Sequence, residues 1–210
     1  MTPDHAASVL REGLQALNTP LSEVSVNKLL AYQALLLKWN RVYNLTAIED
    51  DKGFLVHHLL DSASVLPWVG ESRLLDVGSG AGLPGIPLAI ARPTLQVTLV
   101  DAVQKKVSFQ RQTCIELGLN NVEPLHGRVE SLSGKGRYDR IVSRAFADLN
   151  AFVSLTRPLL AQGGYWLAMK GRCPDQELVS LPPGVCVEAI HPLVVPGLKA
   201  ERHLIVLKAV

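Results

Sequence analysis

Leu74-Leu75-Asp76-Val77-Gly78-Ser79-Gly80-Ala81-Gly82-Leu83-Pro84-Gly85-Ile86-Pro87-Leu88-Ala89 carries an apolar strand through closely spaced glycines into an apolar helix. A turn of this kind lets the backbone pass close beneath a nucleotide, because glycine takes left-handed conformations and has no side chain to hold a ligand away. Nineteen residues beyond Gly82 a second apolar strand, Gln96-Val97-Thr98-Leu99-Val100, ends on Asp101. An acidic residue at that distance in a nucleotide-binding βαβ unit accepts hydrogen bonds from ribose hydroxyls. Isolated glycines would mean only a tight turn; the sequence strand, glycines, helix, strand and acid predicts a site for a nucleoside-containing cofactor.

Two templates fit the glycines. Gly80-Ala81-Gly82-Leu83-Pro84-Gly85 matches the dinucleotide fingerprint GxGxxG, which points to an NAD-dependent oxidoreductase. Asp76-Val77-Gly78-Ser79-Gly80-Ala81-Gly82 matches the (D/E)xGxGxG of S-adenosylmethionine-dependent methyltransferases. A dinucleotide rests its pyrophosphate on N–H groups at a helix N-terminus, and Pro84 and Pro87 take N–H groups away from that turn. S-adenosylmethionine has no phosphate, and Asp76 suits its ammonium group. The second template is preferred.

With 210 residues, the chain suits one α/β domain and a modest appendage, and its 48% hydrophobic residues can fill a sizeable core. No apolar run reaches the ~18 residues of a membrane span, and no basic stretch leads a hydrophobic block at the amino end. A soluble, cytoplasmic protein is expected. Cys114, Cys173 and Cys186 are widely spaced and odd in number, so neither a disulfide framework nor a metal site is expected. The formal charge of +2 is too small to hold naked nucleic acid by charge alone, which confines any such contact to a local patch.

Apolar stripes of helical period divide residues 1–67. Ala6, Val9, Leu10, Gly13, Leu14 and Leu17 form one, Val26, Leu29, Leu30, Leu36 and Leu37 a second, and Phe54, Leu55, Leu59, Ala63 and Leu66 a third that stops at Pro67. They predict an N-terminal helical cap over 1–67, ahead of a second unit over 68–210. From Arg73 strands alternate with helices. Arg73–Val77, Gln96–Val100, Val122–His126, Tyr138–Ser143 and Gly164–Met169 read as strands, with helices near 84–91, 104–117 and 148–161. That alternation predicts a parallel, doubly wound sheet. Val185–Ile190 and His203–Val210 predict a terminal antiparallel pair. Asp76, Asp101, the run from His126 to Glu130, Ser143-Arg144 and Lys170 all fall at carboxyl ends of strands, where ligands of such sheets sit.

The glycine segment, with its Leu83-Pro84-Gly85-Ile86-Pro87 continuation, resembles the bacterial small-subunit ribosomal RNA methyltransferase G family, also called glucose-inhibited division protein B. Trp39-Asn40, Asn44-Leu45-Thr46-Ala47, His58-Leu59-Leu60-Asp61-Ser62, Ser143-Arg144-Ala145-Phe146-Ala147 and Glu201-Arg202-His203 agree with it. The resemblance implies a Rossmann-like class I fold and an S-adenosylmethionine-dependent enzyme that makes 7-methylguanosine at position 527, in the 530 loop of 16S rRNA in a small-subunit particle. It also implies that Gly78, Leu83, Val129, Glu130 and Arg144 contact the cofactor, beside Gly80, Gly82 and Asp101, which the glycine turn and ribose position already single out.

Each residue is then expected to do a particular thing. Asp101 takes the ribose hydroxyls and Val129-Glu130 faces the adenine. Arg144 and Lys170 lie where the acceptor enters and are the candidate catalytic residues, by positioning, through rRNA phosphate or guanine O6. His58 and Asp61 stand three apart on a helical face and are expected to pair with each other, closing the cap onto the sheet. Lys105, Lys106 and Arg111 ride the helix after Asp101, and Arg137, Arg140, Arg172, Lys199 and Arg202 are scattered elsewhere; most read as a solvated face, with a subset near the cleft available to grip rRNA. Guanine N7 has a lone pair and no proton, so no general base is expected; the Asn-Pro-Pro-Tyr loop and the Pro-Cys nucleophile of other methyltransferases are both absent from the sequence. A small-subunit assembly factor carrying a relic cofactor fold is the remaining alternative.

Overall fold

A computed structural model of the protein describes residues 1–48, 50–132, 138–144, 146 and 148–210. Helix α1 (Pro3–Ala16) starts at Thr2 and α2 (Glu23–Tyr43) at Ser22, whose side chains accept N–H bonds from His5 and Ser25 and so satisfy the first open turns. Asn44, in the left-handed conformation, ends α2. A third helical stretch begins at Asp50, whose side chain caps α3 (Asp51–Phe54). It widens into π-helical turns over Leu55–Leu60 and closes as α4 (Asp61–Ala63), before a 3-10 turn over Leu66–Trp68.

Strands β1 (Arg73–Val77), β2 (Gln96–Asp101), β3 (Val122–His126), β4 (Tyr138–Ser143) and β5 (Leu160–Lys170) alternate with helices α5 (Gly85–Ala91), α6 (Gln104–Leu117) and α7 (Leu149–Thr156). After α8 (Asp175–Leu178) come β6 (Val185–Pro192) and β7 (His203–Ala209). The strands form a seven-stranded sheet in the order β3-β2-β1-β4-β5-β7-β6. β1 to β5 pair in parallel, and β7 runs antiparallel to both β5 and β6. This is the doubly wound sheet with a terminal antiparallel pair that the sequence predicts, and its reversal of strand order beside β1 opens a crevice at the carboxyl edge.

Apolar side chains fill both faces. One cluster joins Leu10, Leu14, Leu29, Tyr32, Phe54 and Leu60 of the helical stretch to Leu74, Ile86, Leu88, Leu99 and Phe109 of the sheet unit. The opposite face packs Leu75, Val77, Val100, Ile141, Phe152 and Trp166. Burial on both faces explains why β1 reads as a nearly continuous apolar run.

The helix expected over 148–161 is shorter. It ends at Thr156, a 3-10 turn covers Arg157–Leu159, and β5 already starts at Leu160 instead of Gly164. Pro158 contributes to this: it has no N–H to continue the α-helical ladder, so the chain tightens into the 3-10 turn although Arg157 itself keeps helical backbone, with φ −52° and ψ −41°. The third apolar stripe likewise becomes α-helical and π-helical pieces in place of one regular helix. Among the described residues no helix is long and apolar enough to cross a membrane.

Candidate active site

The glycine turn is held by backbone bonds, both within itself and to the end of β2. Gly78 and Ser79 donate to the Val100 carbonyl at 2.9 and 3.2 Å, and Gly82 and Leu83 donate to the Ser79 carbonyl, each at 2.8 Å. Gly78 and Gly80 have φ of +69° and +59°, and a Cβ at either position would meet nothing within 4 Å. Those two glycines therefore border open space. A Cβ at Gly82 would lie 2.3 Å from Ile86 Cδ1, and one at Gly85 2.3 Å from Leu99 Cδ2, so these two permit close packing.

Two buried side chains brace the turn, and neither stands out in the sequence. Tyr32 of α2 donates its hydroxyl to the Ala81 carbonyl at 2.8 Å. Gln110 of α6 donates to Ser79 Oγ at 2.9 Å and to the Gly80 carbonyl at 2.7 Å. The only signal for Tyr32 is a polar aromatic lying within the leucine stripe of α2; Gln110, beside Phe109, has none.

Asp76 and Asp101 flank the turn. Asp101 accepts the Gly80 N–H on Oδ2 and the Val103 N–H on Oδ1, both at 2.8 Å. A carboxylate oxygen accepts more than one hydrogen bond, so acceptor capacity remains for hydroxyls. Asp76 is fully buried, and its Oδ2 accepts the Gly85 N–H at 2.8 Å, capping α5. Its Oδ1 has no partner among the described residues. Burial pushes the Asp76 carboxyl up to about 7, against the pull of the Gly85 N–H and Arg144. The expectation that Asp76 faces an ammonium group thus meets a residue that first fixes the helix and keeps one acceptor in reserve.

The same contacts decide between the glycine templates. At the start of α5, Gly85 donates to Asp76, Ile86 to the Gly82 carbonyl at 2.7 Å and Leu88 to the Pro84 carbonyl at 3.1 Å, while Pro87 has no N–H. A pyrophosphate would find these donors committed. The dinucleotide reading loses its anchor, whereas a phosphate-free cofactor does not need one.

Around the crevice, Gly127 donates to the Asp101 carbonyl at 3.0 Å and brings the segment after β3 alongside Asp101. Val129 is buried and Glu130 exposed in the 3-10 turn that follows. Leu83 is buried beneath the turn. Ser143 Oγ ties the end of β4 to the Val77 carbonyl at 2.8 Å, which sets Arg144 beside the site. Ala145 and Ala147 of the Ser143–Ala147 motif, and Arg137, lie outside the described residues.

Arg144 does not point at open solvent. Its Nη1 donates to the His57 carbonyl at 3.1 Å and lies 3.4 Å from His58 Nδ1 and 3.6 Å from Asp61 Oδ2. The expected His58–Asp61 pair is corrected here: each faces Arg144, and Asp61 Oδ1 accepts Arg202 Nε at 2.9 Å. His58 Nε2 meets Thr46 Oγ1 at 2.8 Å, and the ring stands edge-on to Phe54. Burial, reinforced by Arg144, pushes His58 down to about 4, so it is neutral at pH 7. Thr46 is itself placed by Asn40, whose Oδ1 accepts the Leu45 and Thr46 N–H groups at 2.6 and 2.9 Å.

Lys170, expected at the acceptor entrance, lines the same cavity as Arg144 and is paired with a carboxylate there. Its Nζ lies 2.9 and 3.1 Å from the Glu177 carboxylate oxygens and donates to the Phe146 carbonyl at 3.2 Å. The reason is α8, which the sequence did not reveal and which delivers Glu177 to the end of β5. Arg202, read as one scattered cation among several, is a member of the site. His57, His58, Asp61, Arg144, Lys170 and Arg202 line a cavity of about 330 Å³. Among the described residues no group of His, Cys, Asp and Glu side chains is placed to hold a metal.

Comparison with known proteins agrees with this geometry. Residues 25–205 match the family described as rRNA small subunit methyltransferase G. The chain is 54% identical over 199 residues to Ribosomal RNA small subunit methyltransferase G of Neisseria gonorrhoeae, covering 94% of this chain and 96% of that one. It is 55% identical over 209 residues to the protein of the same name from Ralstonia nicotianae, covering 95% and 94%. A crystal structure of the glycopeptide N-methyltransferase MtfA complexed with S-adenosylmethionine shares the fold at a TM-score of 0.61 and 14% identity, over 73% of this chain and 95% of that one. The open glycine cradle and the near full-length identity lead to one conclusion: the chain belongs to the rRNA small subunit methyltransferase G family.

Proposed function

We propose that this enzyme transfers a methyl group from S-adenosylmethionine to N7 of guanosine 527 in 16S rRNA, within a small-subunit ribosomal particle in the cytoplasm. The observation that carries the reading is the open cradle at Gly78 and Gly80 beside Asp101, in a chain that matches its family from residue 25 to residue 205. Residues 1–67 serve as a helical cap and 68–210 as the methyltransferase unit.

When bound, S-adenosylmethionine supplies an electrophilic methyl group. Gly78 and Gly80 leave it room, Asp101 offers acceptors to ribose hydroxyls, and the unpartnered Asp76 Oδ1 offers one to the ammonium group. A buried carboxylate oxygen without a donor is costly, so the ammonium would relieve that cost. Val129 gives the adenine an apolar wall, with Leu83 beneath the turn and Glu130 at the rim.

Guanine N7 has an in-plane lone pair and no proton, so the protein has to orient the base without deprotonating it. The residues at the cavity fit that task. His58 is neutral and held by Thr46, while Arg144, fixed by the cap, orients the acceptor or the cofactor. The test is to incubate the protein with methyl-labelled S-adenosylmethionine and undermethylated small-subunit particles, then map the rRNA by mass spectrometry. One new 7-methylguanosine is expected. A methyl on another atom overturns the N7 assignment, and particle binding without transfer favours the relic assembly factor.

A further inference from the structure

The cavity beside the cap holds an arrangement that methyl transfer alone does not explain. Asp61 is 1% exposed and stands between two guanidinium groups: its Oδ1 accepts Arg202 Nε at 2.9 Å, and Arg144 Nη1 makes an ion pair with Oδ2 at 3.6 Å, an oxygen that accepts no hydrogen bond from the described residues. The two arginines come from different parts of the sheet, Arg144 after β4 and Arg202 before β7. Each is also pinned by backbone, Arg144 through the His57 carbonyl and Arg202 through the Glu201 carbonyl at 2.9 Å. Their Nη2 groups make no hydrogen bond with the described residues. Both side chains stay partly exposed, at 28% and 23%.

Charge points to the occupant. Lys170 is balanced by Glu177 and His58 is neutral, so two guanidinium groups face the single carboxylate of Asp61 and leave one positive charge over. One phosphodiester carries one negative charge, and its oxygens match the forked donors of guanidinium. The guanine edge is the poorer match. An arginine that reads guanine does so through O6 and N7, and a donor on N7 would occupy the lone pair that takes the methyl. We propose that Asp61 is a positioning residue that fixes Arg144 and Arg202 as a pair, and that the cavity seats one phosphodiester of the acceptor RNA next to the methylated guanine. This rests on the reading of the chain as an rRNA methyltransferase.

The decisive feature is that Asp61→Asn adds positive charge to the cavity while loosening the pair. If Asp61 only balances charge, the variant binds RNA more tightly and with a steeper salt dependence. If it positions the arginines, one phosphate contact is lost and binding weakens. The experiment measures co-sedimentation with undermethylated small-subunit particles across salt, the dissociation constant for S-adenosylhomocysteine, and methyl transfer. For Asp61→Asn the particle affinity should fall about tenfold, and the slope of log affinity against log salt should become shallower by about 0.7. S-adenosylhomocysteine affinity should stay within about twofold.

Arg202→Met, which leaves Asp61 in place, should give the same loss and the same change of slope, and it keeps the test available if Asp61→Asn folds poorly. Unchanged or tighter particle binding, a steeper slope, or a parallel loss of S-adenosylhomocysteine affinity overturns the proposal. An active wild type with indifferent variants overturns this proposal alone. A wild type that transfers no methyl to particles overturns the functional reading and this proposal with it.

Discussion

The glycine turn and the charged cavity lie at the same edge of the sheet but are built in opposite ways. The turn is a nearly contiguous run from Asp76 to Gly85, held by backbone bonds such as those from Gly78 and Ser79 to Val100. The cavity is assembled from side chains far apart in the chain, Asp61 and Arg202 being 141 positions apart. A contiguous backbone device leaves a spacing that can be read, because each glycine answers to a local demand. A charge cluster gathered by strand order leaves only isolated cations and acids. Under the proposed function, cofactor binding depends on local conformation in this chain, and acceptor binding on tertiary assembly.

That contrast can be broken most sharply at the turn itself. Gly80→Val places a β-branched side chain at φ +59° and fills the open space over the turn. Affinity for S-adenosylmethionine and its demethylated product should drop by at least about 100-fold, while left-handed strain costs only about 1–2 kcal/mol of stability. Calorimetric titration and thermal melting check both parts. Loss of fold with retained affinity per folded molecule would contradict the account of the turn.

Next in size is the cavity. Arg144→Ala should slow single-turnover methyl transfer by about 100-fold, since it removes a positioned guanidinium rather than a proton carrier. Lys170→Ala should behave differently, because its charge is spent on Glu177. Its melting temperature should fall while particle affinity changes by less than about threefold. A Lys170→Ala enzyme that melts like wild type but releases rRNA would restore the reading of Lys170 as an RNA contact.

Smaller effects sharpen the comparison. Tyr32→Phe leaves the buried Ala81 carbonyl without its donor, which should cost about 1 kcal/mol and roughly 2–4 °C of melting temperature, with a few-fold loss of cofactor affinity. Proton linkage gives the smallest signal. A carboxyl raised from 3.8 to about 7 in the folded chain, as at Asp76, contributes stability that is full below 3.8 and lost as pH rises through about 7. His58, lowered from 6.5 to about 4, contributes stability above 6.5 that is lost as pH falls through about 4. The two slopes oppose one another over nearly the same window. Asp76→Asn should therefore gain stability relative to wild type as pH rises from about 4 to about 7, read by melting across that range. A constant difference would mean that Asp76 stays ionised when buried.

The boundary of legibility follows the same line. The glycine turn, the acid that ends β2 and the alternation of strands with helices are legible, because turn conformation and apolar runs are local; the order in which the strands lie side by side is not. Arg144 was reachable only through its place at the end of β4 and the family resemblance. Spacing on a helix says which residues share a face, not which partner a sheet brings to them, so His58 and Asp61 both turn to Arg144 and not to each other. Glu177 was missed as the partner of Lys170, since α8 is too short to leave a periodic pattern. Asn40 and Thr46 belong to segments that carried the resemblance, yet only the structure gives them a physical task, the placing of His58.

Methyl transfer by positioning, without proton abstraction, is tested most directly by single-turnover kinetics on undermethylated small-subunit particles with saturating S-adenosylmethionine, from about pH 6 to about pH 9. The rate should be flat, with 7-methylguanosine as the product at every pH and His58→Ala still active. A bell-shaped profile that disappears on substitution of His58 or Glu130 would contradict it, placing a general acid and base in the reaction and the methyl on an atom other than N7.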